Sequence, residues 1–376
     1  MASCCGGEIR ILEELFFLTV AQLSFAAAFT ICPTTIPCHC VRNEIVYCAF
    51  ARLTKVPYFT RFAHTWHEID LSENLIGELQ SGAFRGINVV RLNLRRNTIA
   101  TLHENAFDGV VRMRALDLSH NVLTELPAGA FAGLAQTLRI KLRYNQLTRI
   151  SVDAFDGVPL LEELDLTGND LTEVPSGVFL NLPELEMLAL QNNKLRTIHA
   201  HAFSGLSNLR TLDLGNAGDR LQIHEDAFCG LEPSISHTEP GVIDWSGLDT
   251  LLLDHNGLRS VDGCLAQVVW TLRRVDLSGN PLHCDCALLT FKDLGAEIDL
   301  RDAQCATPRE FAGEFLAQID RVRYECVRNV TMGKCVRACA RMHRGALLGG
   351  SNRVVTVVCL CTLLLHMFVI HSIMSS

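Results

Sequence analysis

The sequence predicts a repeat solenoid, in which short chain turns stack into a curved array with a parallel β-sheet on its concave face. Its convex side is expected to be irregular or short-helical, and both ends are expected to be closed by disulfides. Three observations predict this fold. An apolar pattern that ends in asparagine recurs along the chain, cysteine clusters flank that pattern, and 376 residues suffice to bury a shared core.

The repeat is marked by asparagines at a nearly constant spacing. The first interval is 23 residues, the next four are 24, and the spacing of 24 returns at the end of the array. These residues are Asn74, Asn97, Asn121, Asn145, Asn169, Asn193, Asn256 and Asn280. Apolar residues precede each asparagine in an alternating pair, which predicts a short strand facing a common core. The asparagine amide both donates and accepts, so we expect it to bond backbone groups of neighbouring turns.

The periodic pattern breaks once. Position 217, where the next asparagine is expected, holds Ala217, and 39 residues separate it from Asn256. We therefore predict about nine repeats over residues 61–280, with an irregular insertion near 217–247. Insertions of this kind are often binding loops, and the alternative is a tolerated surface loop.

Cysteines cluster on both sides of the repeats, in predicted caps over residues 29–60 and 281–327. The first cluster is Cys32, Cys38, Cys40 and Cys48, and the second is Cys284, Cys286, Cys305 and Cys326. Four cysteines allow three pairings, so spacing alone does not fix the disulfides. His283 beside Cys284 raises a zinc site as an alternative, but no second ligand pair stands at a suitable spacing. The sequence therefore predicts disulfides and no metal site.

The repeat L-x-x-L-x-L-x-x-N-x-L between two cysteine clusters resembles the extracellular, cysteine-capped leucine-rich repeat family. Variable lymphocyte receptors, the Nogo receptor, Slit repeat domains and Toll-like receptor ectodomains are members. The similarity extends from about Cys32 to Cys326, and Asn280-Pro281-Leu282 before Cys284-Asp285-Cys286 is similar to the start of the family's C-terminal cap.

This resemblance implies that the first cysteine pairs with the third, and the second with the fourth, in each cap. The implied disulfides are Cys32–Cys40, Cys38–Cys48, Cys284–Cys305 and Cys286–Cys326. Cys229 and Cys264 flank the insertion, and we expect them to pair with each other. The pairing of Cys335 and Cys339 is left open.

The two ends of the chain predict an extracellular, membrane-attached protein. Residues 1–28 contain an apolar run that ends in small residues, which is typical of a cleaved signal peptide. Residues 354–371 are hydrophobic and predict a single-pass helix or, by a slight preference, a lipid-anchor signal, because the tail beyond them is short. Residues 328–353 form a predicted stalk that begins with a glycosylation acceptor at Asn329. We expect a location at the cell surface.

The candidate binding residues are those that alternate with the leucines and should face the concave side. Three neighbouring repeats supply a basic patch: Arg91, Arg95, Arg96, Arg114, His120, Arg139, Lys141, Arg143 and Tyr144. The next repeat reverses the sign with Glu162 and Glu163. In a chain of net charge -8, such local clustering predicts attraction of an acidic protein or glycan. The alternative is a solvated face that keeps the protein soluble.

Other function classes are disfavoured. The acidic net charge argues against nucleic-acid binding. We find no G-x-S-x-G, P-loop, G-x-G-x-x-G or H-E-x-x-H motif, so neither catalysis nor a cofactor is predicted. The sequence favours a receptor or adhesion protein in immune recognition or cell–cell signalling, with a co-receptor for any signalling. The alternative is a matrix or cell–cell scaffold without a dedicated ligand, since fold does not fix function.

Overall fold

The computed structural model describes residues 65–224 without a gap and shorter stretches on either side of them. These stretches are 29–31, 38–41, 44–57, 226–228, 231, 234–235, 243–244, 247–260, 272–285, 288, 300 and 302–319. The predicted signal peptide, stalk, glycosylation site and hydrophobic tail lie outside the described residues. So do Cys32, Cys229, Cys264, Cys286, Cys326, Cys335 and Cys339.

The described residues form short strands, numbered here in chain order. The first eleven are β1 (Phe29–Ile31), β2 (His39–Val41), β3 (Ile45–Tyr47), β4 (Trp66–Asp70), β5 (Glu78–Leu79), β6 (Val89–Asn93), β7 (Thr101–Leu102), β8 (Ala115–Asp117), β9 (Glu125–Leu126), β10 (Arg139–Lys141) and β11 (Arg149–Ile150). The remaining strands are β12 (Glu163–Asp165), β13 (Met187–Ala189), β14 (Thr197–Ile198), β15 (Thr211–Asp213), β16 (Gln222–Ile223), β17 (Ser234–Ile235), β18 (Ile243–Asp244), β19 (Thr250–Leu252), β20 (Arg274–Asp276), β21 (Leu282–His283) and β22 (Cys305–Thr307). Two 3-10 helices follow, Arg309–Phe311 and Leu316–Gln318.

One sheet of 12 strands runs through the array in the order β1-β2-β3-β4-β6-β8-β10-β12-β13-β15-β19-β20. Strands β1 to β3 pair antiparallel, and every pair from β3 onward is parallel. The register places the buried leucine of each repeat beside that of the next, as Leu92, Leu116 and Ile140 illustrate. The predicted solenoid with a parallel concave sheet is therefore confirmed.

Smaller strand pairs complete the stack. Three two-stranded parallel pairs, β5-β7, β9-β11 and β14-β16, lie in the turns that follow the repeat asparagines. Strands β17 and β18 form an antiparallel pair inside the insertion, and β21 pairs with β22 in the C-terminal cap. Among the described residues, the convex side thus consists of turns and very short strands.

Each repeat asparagine is buried and bonds backbone groups of two repeats, as predicted from its amide. Asn145 is representative: its Nδ2 donates to the carbonyl oxygens of Leu118 and Leu142 at 3.1 and 2.9 Å. Its Oδ1 accepts the N–H of Leu123 at 3.1 Å. Since Leu118 and Leu123 belong to the preceding repeat, the side chain fastens one turn of the chain to the next.

The repeat at Ala217 keeps its place in the stack without an asparagine. In other repeats an asparagine oxygen accepts the backbone N–H at the position of Leu195. Here the N–H of Leu195 donates to the backbone carbonyl of Ala217 instead. The Oδ1 of Asn256 accepts the N–H groups of Ala217 and Gly218 at 2.8 and 3.1 Å. The sheet likewise passes directly from β15 to β19. The insertion therefore leaves the array and returns to it without interrupting the sheet.

A column of phenylalanines fills the core opposite the sheet. Its members are Phe84, Phe107, Phe131, Phe155, Phe179, Phe203 and Phe228, and each ring is at most 1% exposed. Neighbouring rings stack with centroids 5.7 Å apart for Phe84 and Phe107, and 5.6 Å apart for Phe131 and Phe155. Stacked buried aromatics contribute both apolar burial and ring–ring attraction, so this column is a main source of stability.

Disulfides close the array near both of its ends. Cys38 bonds to Cys48, and Cys284 bonds to Cys305, which are two of the four cap pairs that the resemblance implies. Cys40 is disulfide-bonded as well. The Nδ2 of Asn74 donates to the carbonyl of Cys48 at 2.8 Å, which ties the first repeat to the N-terminal cap. His283 lies beside the second disulfide with its Nδ1 2.8 Å from the Thr307 hydroxyl.

Candidate functional site

The predicted basic patch lies on three neighbouring strands and the turns that follow them. Leu92, Leu116 and Ile140 of β6, β8 and β10 point into the core, so the residues that alternate with them face the concave surface. Six of the predicted binding residues are exposed: Arg91, Arg95, Arg96, Arg114, Arg139 and Tyr144. His120, Lys141 and Arg143 are half-buried. The structure therefore brings the whole predicted set onto one surface.

Ion pairs to neighbouring repeats neutralise part of this patch. Arg96 pairs with Glu73 at 2.9 Å, Arg139 with Glu163 at 3.3 Å, and Arg143 with Asp165 at 2.7 Å. Sequence reasoning missed these pairs, although each joins residues about one repeat apart. Arg91, Arg95, Arg114 and Lys141 have no ion pair with any described carboxylate. These four residues, which we call the free cations, carry the positive charge available to a ligand.

The residue directly before each repeat asparagine adopts a left-handed backbone conformation. The φ angles of Arg96, His120 and Tyr144 are 54°, 56° and 55°, and that of Gly168 in the next repeat is 70°. Glycine adopts this conformation without strain, whereas a bulky residue there costs on the order of 1 kcal/mol or more. Residues outside the patch, such as Glu73, Asn192 and His255, adopt the same conformation at this position, so it is a feature of the repeat.

The side chains at this edge form a stack. The rings of His120 and Tyr144 lie 4.8 Å apart between centroids, and Nη2 of Arg95 lies 3.4 Å from Nε2 of His120. A Cβ atom on Gly168 would lie 2.6 Å from Cδ1 of Tyr144, so this glycine leaves room for the tyrosine ring. Burial, followed by the charges of Arg95 and Arg96, lowers the pKa of His120 below its ordinary value.

An acidic zone adjoins the basic patch. Glu162 and Glu163 of the next repeat are half-buried, and Glu186 of the repeat beyond is exposed. Met187 on β13 follows with 41% of its surface exposed. Along the sheet the concave surface thus changes from basic to acidic and then to an apolar spot.

Asp213, on strand β15, has an unusual electrostatic environment. Its Oδ1 accepts the N–H of Gly215 at 3.0 Å, a bond that Asn93 makes with the N–H of Arg95 at the same repeat position. Burial and the nearby carboxylates of Asp254, Asp165 and Asp276 raise the pKa of Asp213, against a lowering by the Gly215 N–H. The folded chain therefore holds this proton more tightly than the unfolded chain does. Stability from this group is present at low pH and is lost as the pH rises through the folded pKa.

We expect Asp213→Asn to raise the melting temperature at pH 7, because the amide keeps the hydrogen bond and removes the buried charge. The gain should disappear as the pH falls below about 3.8, the ordinary pKa of an aspartate, where Asp213 is neutral in both states. Thermal unfolding followed by circular dichroism between pH 3 and 7 measures it. Asp213→Ala is the control, since it removes the hydrogen bond together with the charge and should give a lower melting temperature than Asp213→Asn at every pH. An unchanged or lower melting temperature for Asp213→Asn at pH 7 would contradict this account.

The described residues contain neither a cluster of metal-ligating side chains nor a membrane-spanning helix. No group of three or more His, Cys, Asp or Glu side chains there is placed to hold a metal ion. Within the same part of the chain, no helix combines the length and the apolar character needed to cross a membrane.

Comparison with known families identifies leucine-rich repeats in this chain. The family described as leucine rich repeat matches residues 67–123, 112–171 and 161–217. These matches include all nine residues of the predicted basic patch. Comparison with curated proteins gives no match.

Two solved structures with TM-scores above 0.5 share this fold at low sequence identity, and a third is similar with a TM-score below 0.5. Human 5T4 (Wnt-activated inhibitory factor 1, trophoblast glycoprotein) is 22% identical with a TM-score of 0.53, over 78% of this chain and 99% of that chain. TLR13, solved in complex with ssRNA13, is 24% identical with a TM-score of 0.52, over 74% of this chain and 43% of that chain. A chain from the octameric complex of Latrophilin 3, Unc5D and FLRT2 is 21% identical with a TM-score of 0.46, over 77% of this chain and 99% of that chain.

Proposed function

Because this chain is a leucine-rich repeat protein with a disulfide near each end, we propose that it is a cell-surface receptor or adhesion protein that binds an extracellular protein through its concave surface. The disulfides fit an oxidising, extracellular environment. The predicted signal peptide and hydrophobic tail support attachment to the membrane, with the lipid anchor preferred to the single-pass helix. A chain held in this way needs a co-receptor for any signalling.

The observation that supports a protein ligand is the change of charge along the concave surface. The free cations lie on three repeats, and Glu162, Glu163 and Glu186 follow on the next two. A sulfated glycan is a uniform polyanion, so the acidic zone would repel the part of it that extends beyond the free cations. A protein can match both signs and can place an apolar side chain on Met187. We therefore favour a protein over the acidic glycan that the sequence left open.

The competing proposal is a structural scaffold of the matrix or of cell–cell contacts without a dedicated ligand. It takes the exposed charges as a solvated surface. The two proposals differ in what happens to binding when the free cations are reversed, because a solvated surface contributes no specific contact.

The experiment is a binding screen of extracellular proteins on cells that display the full chain, followed by charge reversal. We expect the variant Arg91→Glu, Arg95→Glu, Arg114→Glu and Lys141→Glu to weaken binding of the identified protein by about 100-fold or more, which corresponds to about 2.7 kcal/mol over four sites. Surface expression, measured with an antibody to a tag, should be unchanged.

A matched control reverses four exposed arginines outside the concave strands: Arg112, Arg149, Arg196 and Arg259. It alters the net charge by the same amount and should leave binding within about threefold. Equal binding by the two variants would exclude the concave surface as the contact site. Failure of every protein in the screen to bind the unchanged chain would favour the scaffold.

A further inference from the structure

Ser119 carries a buried hydroxyl group with no hydrogen-bond partner. The residue is 2% exposed, and its Oγ makes no hydrogen bond to any part of the chain that the structure describes. Its backbone N–H donates to Oδ1 of Asp117 at 2.8 Å, so only the side chain lacks a partner. Native proteins pair nearly all buried polar atoms, because an unpaired one costs stability. This hydroxyl therefore calls for an explanation.

Two arginines and one carboxylate, that of Asp117, are the neighbours of Ser119. Arg95 and Arg143 occupy the same repeat position on either side, since β8 pairs in register with both β6 and β10. Arg143 is held by Asp165 at 2.7 Å. Arg95 is exposed, and its guanidinium contacts only the His120 ring among the side chains for which a contact is described. Adjacent strands lie about 4.8 Å apart, so Arg95, Ser119 and His120 can reach one small group together.

The bulk at this edge is not required by the fold. Gly168 and Gly279 occupy the position of His120 and Tyr144 in other repeats, with φ angles of 70° and 66°. His120 and Tyr144 adopt left-handed conformations that disfavour bulky side chains. Residues other than glycine hold seven of the nine equivalent positions, so the conformation itself indicates no function. What distinguishes His120 is its contact with Arg95 and the unpaired hydroxyl of Ser119 beside it.

On the basis of the proposed function, we propose that Arg95, Ser119 and His120 form a seat for one carboxylate side chain of the protein partner. The guanidinium of Arg95, the hydroxyl of Ser119 and an imidazole N–H of His120 donate to the two carboxylate oxygens. Tyr144, which packs between His120 and Gly168, holds the imidazole ring in place. Because Ser119 is 2% exposed, its hydroxyl reaches a ligand only after the side chains that cover it move.

The test uses the full chain with isotopically labelled histidine and NMR detection of the His120 ring. The probes are acetate and sulfate, each added at constant ionic strength against chloride. We expect a saturable shift of the His120 resonance with acetate, and a rise in its pKa at saturation because a bound anion favours the imidazolium. Ser119→Ala should weaken acetate binding by at least fivefold.

Ser119→Ala should also raise the melting temperature by about 2–4 °C, because it removes an unpaired buried hydroxyl. Ser278→Ala is the matched control, since Ser278 holds the same repeat position in β20's repeat and is not among the described unpaired buried groups. It should change neither acetate binding nor the His120 resonance. Gain of stability together with loss of anion binding would identify Ser119 as a ligand-binding residue.

Three results would overturn the seat: no His120 shift with acetate, equal binding in Ser119→Ala, or sulfate binding more than tenfold tighter than acetate. The last result would indicate a sulfated glycan as the source of the anion. The first two results leave the proposed function intact, provided that reversal of the free cations still abolishes protein binding. The third result contradicts it. Conversely, a partner that binds the charge-reversed chain normally refutes the proposed function, whatever acetate does.

Discussion

Replacing Phe131 by alanine is expected to lower the free energy of unfolding by about 3–5 kcal/mol. Phe131 is fully buried and stacks between Phe107 and Phe155, with ring centroids 6.3 and 5.6 Å away. Alanine removes the buried ring and leaves a cavity between two rings held by their own repeats. Because each repeat contacts only its neighbours, the surrounding chain has little freedom to collapse into that cavity.

Urea unfolding followed by circular dichroism measures the effect, with Leu160→Ala as the control. Leu160 is also a large apolar residue but is 43% exposed, so its loss should cost less than about 1 kcal/mol. Unfolding in two separate steps in Phe131→Ala would indicate that the array divides at this repeat. Equal stability of the two variants would show that the phenylalanine column is not a main source of stability.

The second large effect is expected for Asn145→Ala, at about 2–4 kcal/mol. Alanine removes both the donor and the acceptor and leaves the N–H of Leu123 without its side-chain partner. The carbonyls of Leu118 and Leu142 each lose one hydrogen bond and keep another, from the Nδ2 of Asn121 and of Asn169. These groups lie in the buried interior of the stack, where water reaches them poorly. The loss also loosens the join between two adjacent repeats.

Asn181→Ala is the control for this variant. Asn181 is exposed and donates to Asp156 at 2.8 Å, so its replacement should change stability by about 0.5 kcal/mol or less. Hydrogen exchange adds a local readout, since the amide of Leu123 should lose protection in Asn145→Ala and keep it in Asn181→Ala. Retained protection at Leu123 would mean that the backbone finds another partner, as it does at Ala217.

The sequence was sufficient to predict the array because its determinants are periodic. The asparagines, the alternating leucines and the phenylalanines each serve one contact that every repeat reproduces, so their spacing identifies both the fold and its register. The basic patch was predictable for the same reason, since strand register follows from the repeat. Glu162 and Glu163 were likewise predicted as the point where the charge reverses.

The contacts that decide how the patch works were not predictable. Arg139 pairs with Glu163, and Arg143 with Asp165, through flexible side chains whose rotamers no spacing rule defines. Ser119 reads as an ordinary repeat residue, and only the burial of its hydroxyl distinguishes it from Ser278. At position 217 a backbone carbonyl accepts the hydrogen bond that an asparagine side chain accepts in other repeats. No side-chain pattern predicts this, because it depends on the local geometry of the chain.

The way the stack crosses the insertion has a consequence for engineering. Asn256 binds the N–H groups of Ala217 and Gly218 and the carbonyl of Leu214, so one side chain joins the two borders of a 39-residue excursion. The number of residues between Ala217 and Asn256 therefore does not have to match the 24-residue period of the other repeats. Leu221, Phe228 and Leu231 are buried in the core and have to be kept. The stretch between Leu231 and Gly247 is therefore the natural acceptor for a foreign sequence, such as an epitope or a small fluorescent domain.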